Sequence, residues 1–381
     1  MKSNNNNYKV YIAQLQFRLG IMKLFLVVGE FLRAQGLQVK YLLAENYRAH
    51  LPAELLKDCL FIKGTSKGGY TFFNGFDQIV DSLRFILFGW FYWIRFFLTS
   101  KPDLLFFYFI HPTCPMIMTL SKIFCPRCRT ALGLHEPKTR KVDGSRREQL
   151  IDYCREAIQA LSLLFCHDVV LFSPYGEKLF RENYSFFKGT VHQTCLVVPQ
   201  ERLPETDRDA VNISNRIYTD GRSRLFSDLV SLSAKEMPQL KFRLVTSSTL
   251  DQVLRSLQAT NSANLEIINS GLLSDEQILQ NINRGLVQLF GHNNITQSGV
   301  LPLAFMCGTP VLARDLPGFS QFIRHKQNGY LVPPEAPLEA WLEGIRYIKE
   351  NHQRMSAACR RSYEKWFAPS NLGKYYGWIH Q

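Results

Sequence analysis

Residues 296–310, which read TQSGVLPLAFMCGTP, carry the pattern best suited to binding an anion. Proline has no N–H and is tolerated only in the first turn of a helix, so a helix that contains Pro302 must begin at about Ser298-Gly299. Gly308 is placed to end that helix in a left-handed conformation. The unpaired backbone N–H groups at such a helix start, with no Cβ at Gly299, are suited to binding a diphosphate.

The elements around this segment follow an α/β pattern. Residues 8–15 read as a strand, residues 21–35 have helical spacing and end at Gly36, and residues 38–43 read as a second strand. A strand, a helix and a strand in succession predict a parallel sheet. Ser274 begins a capping box and therefore predicts a helix start in the second half of the chain. Further strands are expected there at 241–246, 265–268, 287–290 and 311–313.

Length, composition and charge limit the classes of function. The 381 residues suffice for two domains, and a hydrophobic content of 46% is that of a globular protein. The net charge of +13 favours an anionic partner, but no zinc-finger spacing or clustered basic helix predicts nucleic acid binding. The nine cysteines lack the spacing of a disulfide framework, and Cys125 and Cys128 form a lone pair, so we expect no metal site. No signal-peptide pattern opens the chain, which predicts a cytoplasmic protein.

The segment 77–99 is rich in aromatic residues and leaves two interpretations open. Its charged residues fall in a narrow sector of a helix, and most of the others are Phe, Leu, Ile and Trp. The uncharged run 85–94 is too short to span a bilayer, which takes about 20 apolar residues. The segment is therefore either a buried crossover helix or an in-plane helix that docks the protein on an anionic membrane surface.

The order of motifs in the second half resembles that of retaining GT-B glycosyltransferases of the large group 1, or family 4, type. The likeness rests on the helix start at 298–299, on Cys-Gly-Thr-Pro-Val at 307–311, on Leu-Pro-Gly at 316–318 and on the run QNGYLVPP at 327–334. It implies an α/β fold with two Rossmann-like domains that face one cleft. It also implies that a sugar moves, with retention, from a UDP- or GDP-linked donor to a lipid-linked or polysaccharide acceptor at the inner membrane face, with the nucleotide-sugar as substrate and no other cofactor.

The resemblance also gives domain boundaries, together with a charged segment near residue 200 that has no apolar period. We expect an N-terminal acceptor-binding domain over 1–199, with the possible membrane-docking helix inside it. A linker follows over 200–210, and a donor-binding domain is expected over 211–365. The tail over 366–381 is expected to pack back on the N-terminal domain.

The expected donor site lies in the second domain. Members of the family carry an Arg, and a Lys a few residues later, after the first strand of this domain. Arg216 and Arg222 take those places here, with Arg224 as an alternative, and are expected to neutralise the diphosphate. The loop at Leu272 and Leu273 lies where the family binds the nucleotide base through its backbone. The residues expected to bind the donor diphosphate are Gln297, Ser298, Gly299 and Val300.

The expected acceptor side lies in the first domain. His135 follows the predicted strand 129–134, where the resemblance implies contact with the transferred sugar. Ligands bind at the carboxyl ends of strands in open α/β sheets, so Glu136 is expected to face the acceptor. Gly20 remains from the paired glycine that the family often carries in its first loop. His111 is a second histidine at a strand end.

The chain departs from the family pattern at two positions. Ile295 and Leu303 stand where typical members carry two glutamates that bind the donor sugar and the ribose. Apolar side chains cannot accept hydroxyl hydrogen bonds, so a catalytically inactive GT-B-fold binding or scaffold protein is an alternative. A nucleotide-sugar epimerase is less favoured, because only Glu136 is an obvious acid-base carboxylate. An NAD-dependent enzyme is disfavoured, because no Gly-x-Gly-x-x-Gly motif follows the first strand.

Overall fold

The computed structural model describes the chain in two compact units. The first unit comprises the chain up to Leu196 together with the segment from Leu372 onward, and the second comprises Val197–Asn371. The described residues are 7–17, 19–62, 89–137, 146–201, 203–204, 206–214, 222–246, 264–269 and 274–380.

The first unit is built on a parallel sheet with the strand order β3-β2-β1-β4-β5-β6-β7. The order reverses between β1 and β4, and such a switch point is where open α/β sheets bind ligands. Its described elements are β1 (Lys9–Gln14), α1 (Met22–Ala34), β2 (Gln38–Ala44), β3 (Cys59–Ile62), α2 (89–100), β4 (Leu104–Phe107), α3 (Cys114–Phe124), β5 (Arg129–Leu134), α4 (Arg146–Phe165), β6 (Asp168–Leu171), α5 (Pro174–Asn183) and β7 (Thr190–Gln193).

The second unit is built on a parallel sheet with the strand order β10-β9-β8-β11-β12-β13. This is the Rossmann order, and its switch point lies between β8 and β11. Its described elements are β8 (Ala210–Ser214), α6 (Arg222–Glu236), β9 (Lys241–Thr246), β10 (Leu265–Asn269), α7 (Asp275–Asn283), β11 (Gly285–Phe290), α8 (Val300–Cys307), β12 (Val311–Arg314), α9 (Pro317–Ser320), β13 (Gly329–Val332), α10 (Leu338–Glu350) and α11 (His352–Trp366).

Both sheets are covered on their two faces, which explains their apolar central strands. β4 reads Leu-Leu-Phe-Phe and β11 reads Gly-Leu-Val-Gln-Leu-Phe, and every residue of both strands is buried. Parallel strands buried on both faces have such continuous runs rather than alternation. The predicted α/β architecture is confirmed, and in each parallel sheet the loops that follow the strands lie at the carboxyl edge.

The predicted capping box at the start of α7 is confirmed. The Ser274 hydroxyl accepts a hydrogen bond from the Gln277 N–H at 3.1 Å, and the Gln277 side chain accepts one from the Ser274 N–H at 2.9 Å. These two bonds satisfy backbone donors that a helix start otherwise leaves unpaired.

The C-terminal segment packs within the first unit as helix α12 (Leu372–Tyr376) and a final turn. Tyr376 is buried beside Phe106 of β4, and the Trp378 ring stacks on His192 of β7 with the ring centroids 3.8 Å apart. The charged segment after residue 200, expected to be a linker, lies in the second unit. Arg208 donates to the Cys307 carbonyl at the end of α8, and the Pro204 carbonyl accepts a hydrogen bond from the Asn283 side chain at the end of α7.

Helix α2 has one buried side and one exposed apolar side. Trp93 and Phe97 lie in the core of the first unit, whereas 81% of Phe91 and 54% of Leu98 are exposed. The helix therefore combines features of both interpretations of segment 77–99, whose residues 77–88 lie outside the described part. Among the described helices, none is long and apolar enough to cross a membrane.

Candidate functional site

The predicted anion-binding helix starts where Pro302 requires. Helix α8 has Gly299 as its N-cap, and Pro302 is the third helical residue, so its missing N–H costs no helical hydrogen bond. The Val300 N–H donates to the Ser298 hydroxyl at 3.3 Å. Within the described residues, the N–H groups of Ser298 and Gly299 make no hydrogen bond. These two amides are therefore available donors at the positive end of the helix dipole.

The space beside Gly299 is open. Its φ of −68° suits any residue, and a Cβ built there would meet no heavy atom within 4 Å. Neither the backbone nor a neighbouring side chain therefore requires glycine at this position. A glycine leaves room for a ligand to approach the backbone amides closely.

Gly308 ends the helix as the sequence predicts. It adopts φ of +67°, the Thr309 N–H donates to the Ala304 carbonyl at 2.8 Å, and the Gly308 N–H donates to the Phe305 carbonyl at 3.0 Å. This is the Schellman arrangement. A Cβ at Gly308 would lie 2.6 Å from the Ser356 hydroxyl, so both the backbone angle and the packing require glycine.

The loop that leads into α8 is held by a neighbouring turn. The Gln321 amide donates to the Thr296 carbonyl at 3.1 Å and to the Gly318 carbonyl at 2.9 Å. Ile295 is only 3% exposed, and Gly318 leaves room for the Ile295 backbone. Ile295 therefore packs as a core residue at a position where the resemblance implies a sugar-binding glutamate.

The strand order brings the expected donor segments to one edge of the second sheet. β8 and β11 are neighbours, and the loop that contains Gln297 follows β11. Arg216 follows β8 in sequence but lies outside the described residues, as do Leu272 and Leu273. Arg222 is the first residue of α6, and its side chain is not described. Arg224, the alternative cation, is exposed and lies 3.8 Å from Asp228.

His135 lies at the carboxyl end of β5 in the first unit. Its Nε2 is 3.2 Å from the Tyr108 carbonyl oxygen. Its ring stacks on Phe172 with centroids 3.9 Å apart and contacts Phe109 at 4.9 Å. The imidazole is thus held in one orientation at the edge where the sequence predicts ligand binding.

The other expected acceptor-side residues lie at the same edge. The Glu136 carbonyl accepts a hydrogen bond from the Gln159 amide at 2.9 Å. Gly20 lies in the short turn Leu19–Ile21 after β1, where a Cβ would meet no heavy atom within 4 Å. Gln14 ends β1 fully buried, and its Oε1 finds no partner among the described residues. Sequence reasoning missed Gln14, although an amide at the end of an apolar strand beside the switch point was a usable signal.

His111, expected at a strand end, lies four residues beyond the end of β4 and is neutral. Its Nδ1 is 2.8 Å from the Thr113 hydroxyl, and burial lowers its pKa to about 3. The adjacent Cys114 thiol is also neutral, because burial raises its pKa to about 12. Neither group carries a charge at neutral pH, so both act as core residues at this strand end.

The thiols of Cys125 and Cys128 show the same effect. Burial raises the pKa of Cys128 to about 12 and also raises that of Cys125. Metal ligation needs thiolates, so this pair is poorly suited to it. In the described part of the chain, no three His, Cys, Asp or Glu side chains lie close enough together to hold a metal ion.

The comparisons with known proteins agree with this architecture. The family model described as glycosyl transferases group 1 matches residues 199–366. Among curated protein sequences, no match to the chain is found.

Solved structures resemble the whole chain. Sucrose-phosphate synthase from Thermosynechococcus elongatus superposes with a TM-score of 0.71 at 15% identity, covering 98% of each chain. The pneumococcal O-GlcNAc transferase GtfA, in complex with UDP and GlcNAc, gives a TM-score of 0.69 at 12% identity over 98% of each chain. HepE from Anabaena, in complex with UDP-glucose, gives 0.67 at 13% identity over 96% of this chain and 97% of that one.

At such low identity these neighbours establish the fold, whereas the family match establishes the class of the second unit. The chain therefore has the GT-B fold, and the segment 199–366 belongs to the group 1 glycosyl transferases.

Proposed function

We propose that this protein is a retaining glycosyltransferase. It moves a sugar from a UDP- or GDP-linked donor to a lipid-linked or polysaccharide acceptor at the inner membrane face. The observation that carries the proposal is the open start of α8. Two amides without a hydrogen bond to any described residue, and an unobstructed glycine, lie at the switch point of a group 1 glycosyl transferase domain.

The proposed chemistry is stabilisation of the leaving diphosphate. Negative charge develops on the diphosphate as the bond to the anomeric carbon breaks, and pre-aligned donors stabilise that charge. The amides of Ser298 and Gly299 supply such donors, and Arg216 and Arg222 supply the cations. Two neighbours, GtfA and HepE, contain UDP in their solved structures, which supports a UDP-linked donor here.

Retention of configuration rests on the resemblance to retaining members of the group. The acceptor hydroxyl must lose its proton during transfer, and the donor phosphate itself is a suitable base. The His135 ring, fixed between Phe172 and Phe109, is proposed to orient the sugar rather than to take that proton. The rigid stack favours this role because an orienting group must keep its position.

Docking at a membrane is supported by the exposed side of α2. Phe91, Trp90 and Leu98 are exposed large apolar side chains on this helix, and Arg95 is an exposed cation among them. Aromatic and basic residues on one side of a helix are typical of an interfacial anchor. The net charge of +13 adds attraction to anionic lipid. Such a surface is where a lipid-linked acceptor is presented.

One observation favours the alternative of an inactive binding protein. Ile295 is buried, and Leu303 is apolar, so neither can bind a sugar or ribose hydroxyl. The enzyme binds and consumes a donor. The inactive protein consumes none, and the absence of nucleotide binding also favours it.

The test is to incubate the purified protein with UDP- and GDP-sugars and anionic vesicles that carry a membrane lipid extract, and to follow nucleotide release. Release of one nucleotide supports a transferase. Retention is supported if NMR shows that the new glycosidic bond has the same anomeric configuration as the donor. Binding without release, at enzyme concentrations equal to those of donor, supports the inactive alternative.

A further inference from the structure

Arg208 lies in a charged segment before β8, yet its guanidinium is directed into the second unit. Nη2 donates to the Cys307 carbonyl at 2.6 Å, and Nη1 donates to the Gly308 carbonyl at 3.3 Å. Nη1 also donates to the Thr309 hydroxyl at 2.8 Å. These three acceptors form the C-terminal end of α8, the helix whose opposite end is the proposed diphosphate site.

These contacts satisfy backbone carbonyls at the helix end. The last carbonyls of a helix have no intrahelical partner. The Schellman bonds use the Ala304 and Phe305 carbonyls, and Arg208 takes those of Cys307 and Gly308. A cation at this end also interacts favourably with the helix dipole, and hydrogen bonds from an ionised donor are the stronger kind.

The same guanidinium contacts the start of the strand that leads to α8. Nη1 lies 3.3 Å from the Gly285 carbonyl, where β11 begins. The Asn283 amide, just before β11, donates to the Pro204 carbonyl at 2.8 Å. Arg208 therefore connects the beginning of β11 to the end of α8, and the proposed donor loop lies between those two points.

The sides of α8 pack through apolar contacts. Leu301, Ala304 and Phe305 are buried apolar residues, and apolar burial is not directional. Polar contacts at the helix ends are directional. The Ser298 and Gly299 amides remain available for a ligand. Besides the Gln321 bond that holds the loop before α8, Arg208 supplies side-chain contacts to the C-terminal end of the helix.

We propose that Arg208 is a positioning residue for donor binding. It holds α8 along its axis from the C-terminal end, so that the Ser298 and Gly299 amides meet the donor diphosphate. The inference rests on the proposed function, and it extends that function to a residue about one helix length from the phosphates. A displacement of about 1 Å in such a site can cost on the order of a hundredfold in rate.

A cavity next to Arg208 makes a chemical test possible. The guanidinium lines a cavity of about 700 Å³ together with Thr206, Ser356 and Arg360. In an Arg208→Ala variant this cavity gives free guanidinium ion a path to the vacated carbonyls. Arg243 is the matched control, since it is a buried arginine of the same unit and only 2% exposed. The hydrogen bonds described for it go to Glu266, Asn212 and Asp209 rather than to α8. Its partner Asp209 is also paired with Lys241, at 3.5 Å, so replacing Arg243 leaves this carboxylate a second cation.

The experiment measures UDP affinity by calorimetry for the full-length protein, Arg208→Ala and Arg243→Ala, at a temperature where all three are folded by circular dichroism. We expect Arg208→Ala to weaken UDP binding by about tenfold or more, because a shift of α8 moves the Ser298 and Gly299 amides away from the diphosphate. Low-millimolar guanidinium chloride should restore much of the affinity, whereas equal sodium chloride should not. Arg243→Ala should bind UDP as the unaltered protein does and should not respond to guanidinium.

A second measurement separates this inference from the proposed function. Amide hydrogen exchange in a peptide covering residues 300–309, which includes the hydrogen-bonded amides of Gly308 and Thr309 at the end of α8, should rise in Arg208→Ala and not in Arg243→Ala, with no nucleotide present. If exchange is unchanged, or if Arg208→Ala binds UDP normally, the positioning role is wrong. If exchange rises but the unaltered protein binds neither UDP nor GDP, Arg208 still positions α8 and the proposed donor site is wrong.

Discussion

The imidazole of His135 lies against the ring of Phe172, with the ring planes inclined by 20°. The two residues come from the carboxyl ends of β5 and β6, which are adjacent strands. The stack fixes the orientation of a histidine that the sequence places at the ligand-binding edge of the first sheet.

This relationship predicts different effects for two substitutions. His135→Asn should lower the transfer rate by about tenfold or more, because a positioned polar group is lost, and should leave UDP affinity unchanged. Phe172→Leu should lower the rate less, because the imidazole remains but loses a stacking contact worth about 1 kcal/mol. Steady-state rates at saturating donor, with UDP calorimetry beside them, test this prediction. Equal rates for His135→Asn and the unaltered protein would exclude a role for His135.

Gly299 and Gly373 provide a matched pair for the donor site. At both glycines a Cβ would meet no heavy atom within 4 Å. Gly299→Val should therefore fold normally but place a side chain over the amides, weakening UDP binding by about tenfold or more. Gly373→Val, in the first unit, should bind UDP normally. Normal UDP binding by Gly299→Val would place the diphosphate elsewhere.

Gly308 is predicted to be required for stability. Gly308→Ala imposes a left-handed conformation on alanine and brings its Cβ against the Ser356 hydroxyl. We expect a loss of about 1–3 kcal/mol in the free energy of unfolding, measured by urea denaturation. Gly373→Ala is the control and should change stability little. A Gly308→Ala protein as stable as its parent would contradict the C-terminal geometry of α8.

His111 predicts a dependence of stability on acid. Burial lowers its pKa from 6.5 to about 3, so between these values the unfolded chain binds a proton that the folded protein does not. Stability from this group is complete above pH 6.5 and is lost as the pH falls toward 3. At pH 5 the loss is about 2 kcal/mol for one such group.

The matching measurement is urea denaturation at pH 7 and pH 5. His111→Asn should be less stable than its parent at pH 7, but its stability should fall less between the two pH values. His352 adds to the pH dependence of stability in both proteins, because burial and the charge of Arg208 lower its pKa to about 4. An unchanged pH dependence in His111→Asn would show that folding does not lower the pKa of His111.

Helix α2 predicts binding to anionic vesicles. Phe91→Glu replaces the most exposed aromatic side chain among the described residues with a carboxylate, which anionic lipid repels. Burying one such side chain contributes about 2 kcal/mol, so vesicle affinity should fall by about tenfold or more. Phe186→Glu, at another exposed phenylalanine of the first unit, is the control. Sedimentation with phosphatidylglycerol vesicles measures both, and equal losses in the two variants would contradict a docking role specific to α2.

Local sequence signals predicted the fold well where they act on one element. Pro302 and Gly308 bracket α8 because each restricts its own backbone, and Ser274 marks α7 because a capping box spans four residues. The edge strand β3 was missed, since its four residues follow short 3₁₀ turns and show no clear alternation. Its pairing with β2 is set by tertiary contacts.

The candidate site could be predicted only in part, because some of its contacts depend on tertiary structure rather than on local sequence. The Ser298-Gly299 helix start is a local feature and is present. Arg208 was placed in a linker because charged residues without apolar spacing surround it, and its acceptors lie about a hundred residues further along the chain. Such a long-range contact leaves no periodic signal. The stack of His135 on Phe172 likewise follows from strand order, which the sequence alone does not determine.

The most direct test of the account is calorimetry of UDP and GDP binding to the full-length protein without added metal. The account predicts that one of them binds with micromolar affinity, that the affinity survives chelator, and that Gly299→Val abolishes most of it. Absence of binding by both nucleotides would contradict a donor site at the start of α8.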